Sequence, residues 1–216
     1  LSRKVYEGEW QHDKRHGNGT AYDTHFCYNG TFTDGEMTGK GRMVWRVVSD
    51  DKEESIEEGV FLRGRLHGAG RRSIANGRLR LIGEFWHGFF TRGTREEDEG
   101  SLMVGEYDRR CRLHGQGLLR TTQGFHWKGP FCHGVPNGVC VRIHPCGEVR
   151  YGKFVRGVPD GKHICTLNGR TVAQHWELGE RRHSELCDFV PPSELFDRVS
   201  FRDLFEDVLA LDFALY

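Results

Sequence analysis

The sequence predicts an all-β fold: an elongated, twisted antiparallel sheet of stacked β-hairpin repeats, with a short α-helical cap at the C-terminal end. Three observations lead to this fold class. Glycine is abundant, at 29 of 216 residues, whereas proline is scarce, at 6. A motif of aromatic residues around a glycine recurs along most of the chain. After residue 182 glycine disappears, and an acidic, amphipathic segment follows.

The repeat is defined by its first copy, in which Tyr6, Gly8 and Trp10 alternate with glutamates and are followed by Gly17 and Gly19. The motif glycines are at positions 8, 30, 59, 83, 105, 129 and 152, which gives steps of 22, 29, 24, 22, 24 and 23 residues. The long step contains an acidic run, residues 49–55, which we interpret as an inserted surface loop. We therefore predict an array over residues 1–182, with units that start near 6, 28, 57, 81, 103, 127 and 150. A weaker eighth unit near 172 is left open.

Each unit has the pattern of a hairpin. Alternation with period two in residues 6–10 places the rings on one face of a strand and the carboxylates on the other. The polar run that follows carries the turn, and the glycines of the second strand allow two backbones to approach closely. Because an isolated hairpin is only marginally stable, the ring-bearing face has to be covered by neighbouring hairpins.

The segment Tyr6-Glu7-Gly8-Glu9-Trp10, its sequel Lys14 to Thr20 and the usual step of about 22–24 residues resemble the MORN repeat family, over roughly residues 5–180. The resemblance implies successive hairpins in a twisted sheet and a role in recruitment to cytoskeletal, ciliary or junctional assemblies. It also implies self-association into dimers and links to phosphoinositides at the plasma membrane. The chain departs from the family pattern at Arg92, Thr94, Cys140 and His163, so we expect less regular stacking in the second half.

The final segment, residues 183–216, is predicted to be helical. Pro192 and Ser193 can start one short helix, and Ser200 can start a second. An apolar stripe of the second helix is expected to dock on the array, and its residues are Phe201, Leu204, Phe205, Val208 and Leu209. Residues 183–216 hold 2 basic and 8 acidic residues, whereas residues 101–182 hold 13 and 6. The tail either caps the last hairpin or occupies the groove that a partner would use.

The sequence predicts no enzyme, cofactor or metal site. It contains neither a phosphate-binding loop nor a nucleophile elbow. His16, His67 and His114 share one repeat position, so they are interpreted as turn residues. The seven cysteines lack C-x-x-C spacing, which disfavours a disulfide framework. Zinc could in principle be gathered by Cys132, His133, Cys140, His144 and Cys146, but their spacing matches no familiar zinc motif.

We interpret the array as a scaffold that binds protein partners, with a helical peptide on the aromatic face as the expected mode. The predicted contact residues are the motif rings Tyr6, Trp10, Tyr28, Phe32, Phe61, Phe85, Tyr107, Trp127, Phe131 and Phe154. The same rings could instead be pure core, and the residue pattern does not separate these two interpretations.

The alternative is a peripheral membrane adaptor that binds anionic phospholipids through two basic clusters. The first cluster is Arg71, Arg72, Arg78 and Arg80, and the second is Arg109, Arg110 and Arg112. The sequence shows no reader motif for nucleic acid and no apolar run of the ~20 residues that span a bilayer. A cytoplasmic location is expected, with association to the cytoskeleton, a cilium or the inner face of the plasma membrane.

Overall fold

The computed structural model describes residues 5–46 and 54–187, and these residues are nearly all β. Seventeen strands are present, and every ladder between them is antiparallel. The described part of the chain contains one short 3-10 turn, Ala75–Gly77, and no α-helix. The chain divides between Asp98 and Glu99 into two compact units.

The first unit contains eight strands, which form four consecutive hairpins. Their bounds are β1 Val5–Gln11, β2 Lys14–Tyr22, β3 Phe26–Thr33, β4 Glu36–Arg46, β5 Glu54–Leu62, β6 Arg65–Ile74, β7 Leu79–Trp86 and β8 Phe89–Glu97. Each strand pairs with the next one along the chain, from β1 to β8.

The second unit contains nine strands, which also form four hairpins. Their bounds are β9 Leu102–Tyr107, β10 Leu113–Arg120, β11 His126–Cys132, β12 Val135–Pro136, β13 Gly138–Ile143, β14 Val149–Val155, β15 Val158–Leu167, β16 Arg170–Glu177 and β17 Glu180–Leu186. The last pair, β16 and β17, lies where the sequence left open a weaker eighth unit near residue 172.

Most hairpins close through a two-residue turn whose second residue is glycine. Examples are Asp34-Gly35 and His133-Gly134, in which both residues have positive φ, as required in a type I′ turn. The turn glycine also binds the preceding hairpin: the N–H of Gly35 donates to the carbonyl of Arg15 at 2.9 Å, and that of Gly134 donates to Leu113 at 2.7 Å. The same bond recurs at Gly64, Gly88, Gly157 and Gly179. Within each unit, successive hairpins are therefore joined at their turns as well as along their strands.

The motif glycines lie opposite one another and form a continuous row across the first unit. The row consists of Gly8, Gly19, Gly30, Gly41, Gly59, Gly70, Gly83 and Gly93. A side chain has no room here, because a Cβ at Gly30 would lie 2.6 Å from Cα of Gly41 and 2.6 Å from the hydroxyl of Tyr28. Glycine is required two residues before the row glycine in β2 and β4 for a different reason. Gly17 and Gly39 lie in β-bulges and have positive φ, which favours glycine.

The core is built from motif residues that contact the neighbouring hairpin. The ring centroid of Tyr6 lies 5.0 Å from that of Phe32, and the ring of Tyr28 lies 5.2 Å from that of Phe61. In the second unit Trp127 contacts Phe154 at 5.0 Å in the same way. Edge-to-face contacts of this kind add roughly 0.5–1.5 kcal/mol to the burial of each ring. Stacking of hairpins thus supplies the hydrophobic cover that the sequence required.

The departures from the glycine pattern have structural explanations. The bulge in β8 is shorter than the one in β2 by a residue, so Gly93 reaches the glycine row and Arg92 pairs with Glu84. In the second unit Cys140 and His163 take row positions next to Gly152 and are buried. The ring of His163 covers Gly152, where a Cβ would lie 2.5 Å from Cγ of the imidazole. Larger side chains are accommodated there because their row neighbour is still glycine.

The sheet extends beyond the boundary expected at residue 182, since β17 pairs Leu186 with Val172. The rest of the predicted helical tail lies outside the described residues, and so do its docking positions Phe201, Leu204, Phe205, Val208 and Leu209. Most of the acidic run in residues 49–55 also lies outside them.

Candidate functional site

Seven of the ten rings that were expected to contact a partner are buried within the array. They are Tyr28, Phe32, Phe61, Phe85, Tyr107, Phe131 and Phe154. Each ring is covered by residues of the same compact unit, so a partner could not contact these rings unless the hairpins separated. For these seven residues the structure corrects the expectation of a docking surface, because coverage by adjacent hairpins makes them the core.

The other three predicted contact residues are accessible to different degrees. Trp10 is 61% exposed, and its ring stacks edge-on against half-buried Tyr6 at 5.2 Å. Trp127 is half-buried, and the guanidinium of Arg142 lies 5.7 Å from its ring centroid. Tyr6 and Trp10 belong to the first unit, and Trp127 belongs to the second. Within the described residues of each unit, the accessible rings among the predicted contact residues are too few to line a helix-binding groove.

The first unit instead has an open groove of about 460 Å³ on the sheet face opposite the rings. Its floor is the backbone of the glycine row at Gly30, Gly41 and Gly59. Its walls are the polar side chains that flank those glycines, namely Asn18, Asn29, Lys40, Arg42, Glu58 and Arg71. Because strand residues alternate between the two faces, the row positions face the rings, and only backbone lies between the flanking side chains on the groove face.

Charged side chains in the groove are shared across three adjacent strands. Glu58 lies between two arginines: Nε of Arg42 is 2.7 Å from its carboxylate, and Arg71 pairs with the other oxygen. Lys40 adds an exposed cation on the opposite wall. Three cations therefore face one carboxylate, so the groove carries a net positive charge of about two at neutral pH.

Three segments match the family model for the MORN repeat: residues 6–23, 28–46 and 58–77. Each begins near the start of β1, β3 or β5 and extends through the second strand of the same hairpin. These three hairpins are MORN repeats. The groove lies within them, since all of its lining residues fall inside the matched segments. MORN repeats are commonly modules for interaction with proteins or membranes.

In the hairpins of the array the tyrosine position of the motif is not always aromatic. In the third hairpin it holds Glu57, whose carboxylate is 2.7 Å from Nε of Arg72, and the guanidinium of Arg72 lies 5.2 Å from the ring centroid of Phe85. In the seventh hairpin it holds Arg150, whose guanidinium lies 4.5 Å from the ring centroid of Trp176. A cation over a ring thus replaces one ring against another, and the contact between consecutive hairpins is kept.

The basic clusters proposed for lipid binding are largely neutralised by carboxylates. Arg71 and Arg72 pair with Glu58 and Glu57, and Arg80 lies 3.1 Å from Glu96. In the second cluster Arg112 is 2.8 Å from Asp108. Arg109 and Arg110 are exposed at the turn of the fifth hairpin, and Arg78 is also exposed. Paired cations attract an anionic surface less strongly than free ones, so the geometry weakens the membrane interpretation.

The buried polar groups of the second unit are centred on the row position of His163. Its Nε2 lies 2.8 Å from the carbonyl oxygen of Lys153, and burial lowers the pKa of the imidazole below its usual range. Cys165 donates to the side-chain oxygen of Gln174 at 3.2 Å, and burial raises the pKa of its thiol. A neutral imidazole and a protonated thiol are packing groups, so nothing in this cluster is prepared for nucleophilic chemistry.

The groove was not among the sites predicted from the sequence, because those predictions used the positions of the rings. A signal was available: the residues on either side of the motif glycines, such as Asn18, Lys40 and Arg42, point away from the rings by simple alternation. Among the described residues, no helix is long and apolar enough to cross a bilayer.

Proposed function

We propose that this array is a non-enzymatic scaffold that binds a partner protein through an acidic segment placed in the groove of its MORN repeats. The observation that supports the proposal is the charge arrangement of the groove, where Arg42 and Arg71 flank the carboxylate of Glu58 and Lys40 adds a third cation beside the glycine backbone. Carboxylates of a partner would pair with Arg42 and Lys40, and arginine suits this role because its fork of donors matches a carboxylate.

The amide side chains of Asn18 and Asn29 add neutral donors and acceptors along the same groove. Asn29 already donates to the hydroxyl of Thr20 at 2.8 Å, which orients its amide. An extended or helical acidic peptide could therefore find both charge and hydrogen-bonding complementarity. The family's association with cytoskeletal, ciliary and membrane-proximal assemblies supports a cytoplasmic partner of that kind, and self-association into a dimer is compatible with it.

The test uses the whole chain and a fluorescein-labelled peptide of eight glutamates, measured by fluorescence anisotropy. We expect salt-dependent binding that weakens about tenfold in the variant Lys40→Gln/Arg42→Gln, equivalent to about 1.4 kcal/mol. The matched control is Arg109→Gln/Arg110→Gln, which removes two exposed cations from the second unit. Equal weakening by both double variants would show nonspecific charge attraction and would overturn the groove proposal.

A second experiment tests the alternative function, which is binding to an anionic membrane. Cosedimentation with vesicles that contain phosphatidylserine should leave the protein in the supernatant at physiological salt, because four of the predicted lipid-binding arginines are paired with carboxylates. Vesicle binding that is lost in Arg109→Gln/Arg110→Gln and kept in the groove variant would favour the peripheral adaptor instead.

A further inference from the structure

Three residues with metal-binding side chains meet at the turn edge of the second unit. His114 lies in β10, Cys132 ends β11, and His133 is the first residue of the following turn. Each offers one ligand atom, and these three atoms lie within 4.8 Å of one another. All three side chains are exposed, so an ion could reach them directly from solvent.

We propose that His114, Cys132 and His133 form a Zn²⁺ site that joins the fifth and sixth hairpins. One thiolate and two imidazoles are ligands that zinc prefers, with Zn–S of about 2.3 Å and Zn–N of about 2.0–2.1 Å. Ligand atoms in such a tetrahedral site are about 3.3–3.8 Å apart, so the exposed side chains need to move by about 1 Å. The fourth position is left to water, as in zinc sites with three protein ligands.

A carboxylate is in place to orient one of the imidazoles. Oδ2 of Asp108 is 2.8 Å from Nδ1 of His133, and in the tautomer with the proton on Nδ1 this N–H donates to the carboxylate while Nε2 is available to a metal. Nη2 of Arg112 also approaches this Nδ1, at 2.9 Å, but the same arginine pairs with Asp108 at 2.8 Å. The backbone N–H of His133 makes a long contact of 3.4 Å with Nδ1 of His114. Asp108 therefore balances the nearby guanidinium charge and positions the imidazole.

The repeat itself explains why the three residues meet. His114 precedes the bulge glycine of one hairpin, and Cys132 and His133 end the first strand of the next. In the first unit the equivalent positions hold His67, Trp86 and His87. The paired imidazole centroids are 4.9 Å apart there and 5.1 Å apart at His114 and His133. Tryptophan offers no metal ligand, so the chain contains a matched pair of histidines without a thiol.

The other cysteines that the sequence linked to zinc do not share this site. Cys140 is buried in the core and points to the carbonyl of Pro130 at 3.6 Å. Cys146 lies 2.8 Å from Nδ1 of His144 within a single exposed turn. Cys146 and His144 are only two potential zinc ligands, whereas the proposed site has three. Cys146 is therefore a suitable control thiol.

The experiment titrates the metal-stripped whole chain with Co²⁺ and then displaces Co²⁺ with Zn²⁺, under reducing conditions. We expect one equivalent of Co²⁺ to give visible d–d bands of a tetrahedral site and a thiolate charge-transfer band in the near ultraviolet. Cys132→Ser should abolish the charge-transfer band, and His114→Asn should weaken binding at least about tenfold. Cys146→Ser and His67→Asn should leave the titration unchanged.

A second measurement does not depend on the folding of any variant. Zn²⁺ should slow alkylation of Cys132 by iodoacetamide in the wild-type chain, while Cys146 stays reactive, as read by mass spectrometry of tryptic peptides.

Asp108→Asn should lower the affinity for Zn²⁺ without removing the charge-transfer band of the Co²⁺ form. A Co²⁺ complex without thiolate charge transfer, or equal protection of both cysteines, would overturn the proposal.

Discussion

The glycine row makes a prediction that compares two equivalent positions, Gly19 and Gly41. A Cβ at Gly19 would lie 2.5 Å from Cε2 of Tyr6, and a Cβ at Gly41 would lie 2.6 Å from Cε2 of Tyr28. Both values are about 1 Å below the ~3.5–4.0 Å of a normal carbon contact. The two alanine substitutions therefore create the same overlap, and only the surroundings of the tyrosine differ.

Tyr28 cannot move away, because it is 0% exposed and its ring touches Phe32 and Phe61 at 5.3 and 5.2 Å. Tyr6 is partly exposed in the first hairpin, so its ring can turn toward solvent. Overpacking costs about 1–3 kcal/mol, so we expect Gly19→Ala near the lower end and Gly41→Ala near or above the upper end. A difference of about 2 kcal/mol corresponds to roughly a thirtyfold change in the unfolding equilibrium.

The assay is urea unfolding of the whole chain by circular dichroism, combined with hydrogen exchange of the β3 and β4 amides, since repeat arrays need not unfold in one step. Adding Tyr28→Leu to Gly41→Ala should recover at least ~1 kcal/mol relative to the sum of the single variants, because the smaller side chain makes room. Leucine is acceptable at this motif position, as Leu81 shows in the fourth hairpin. Equal losses for the two glycine variants, or additive effects in the double variant, would refute the explanation of the row.

Two further outcomes follow from burial and protonation. Phe61→Ala should lower the free energy of unfolding by about 3–5 kcal/mol, whereas Phe89→Ala, at a ring that is 49% exposed, should lower it by less than half as much in the same urea experiment. His163 has a pKa lowered by burial in the folded state, so the unfolded chain binds the proton first, and stability should fall as pH drops below the ordinary histidine value of about 6.5. His163→Gln should flatten that acid limb of the midpoint-against-pH curve, and an unchanged slope would contradict the assignment.

The hairpins could be predicted from the sequence because their signals are local. Alternation around Gly8, Gly30 and Gly59 fixes which side chains share a face, and a turn pair such as Asp34-Gly35 fixes the connection. The structure confirms the fold class on both counts. It also explains each glycine of the repeat: Gly17 needs its positive φ, and Gly19 has no room for a side chain.

The site could not be predicted in the same way, because coverage of a face depends on neighbours that are distant in sequence. Alternation places Phe61 and Phe85 on one side of the sheet but does not say that adjacent hairpins cover them. The cluster of His114, Cys132 and His133 was missed for a related reason. His114 was interpreted as an ordinary turn residue because histidine recurs at its repeat position. That interpretation did not consider the residue beside it in the next hairpin, Cys132. The equivalent residues of earlier hairpins are Thr33, Leu62 and Trp86, none of which is cysteine.

The bonds between turns run in one direction along the chain. In every case the N–H of a turn glycine, such as Gly64 or Gly157, donates to a carbonyl of the hairpin before it, at Met37 or Pro136. During synthesis the carbonyl that accepts each of these bonds therefore leaves the ribosome before the glycine N–H that donates to it. The hairpins can therefore fold in order from the amino terminus, and each folded hairpin provides the template for the next one.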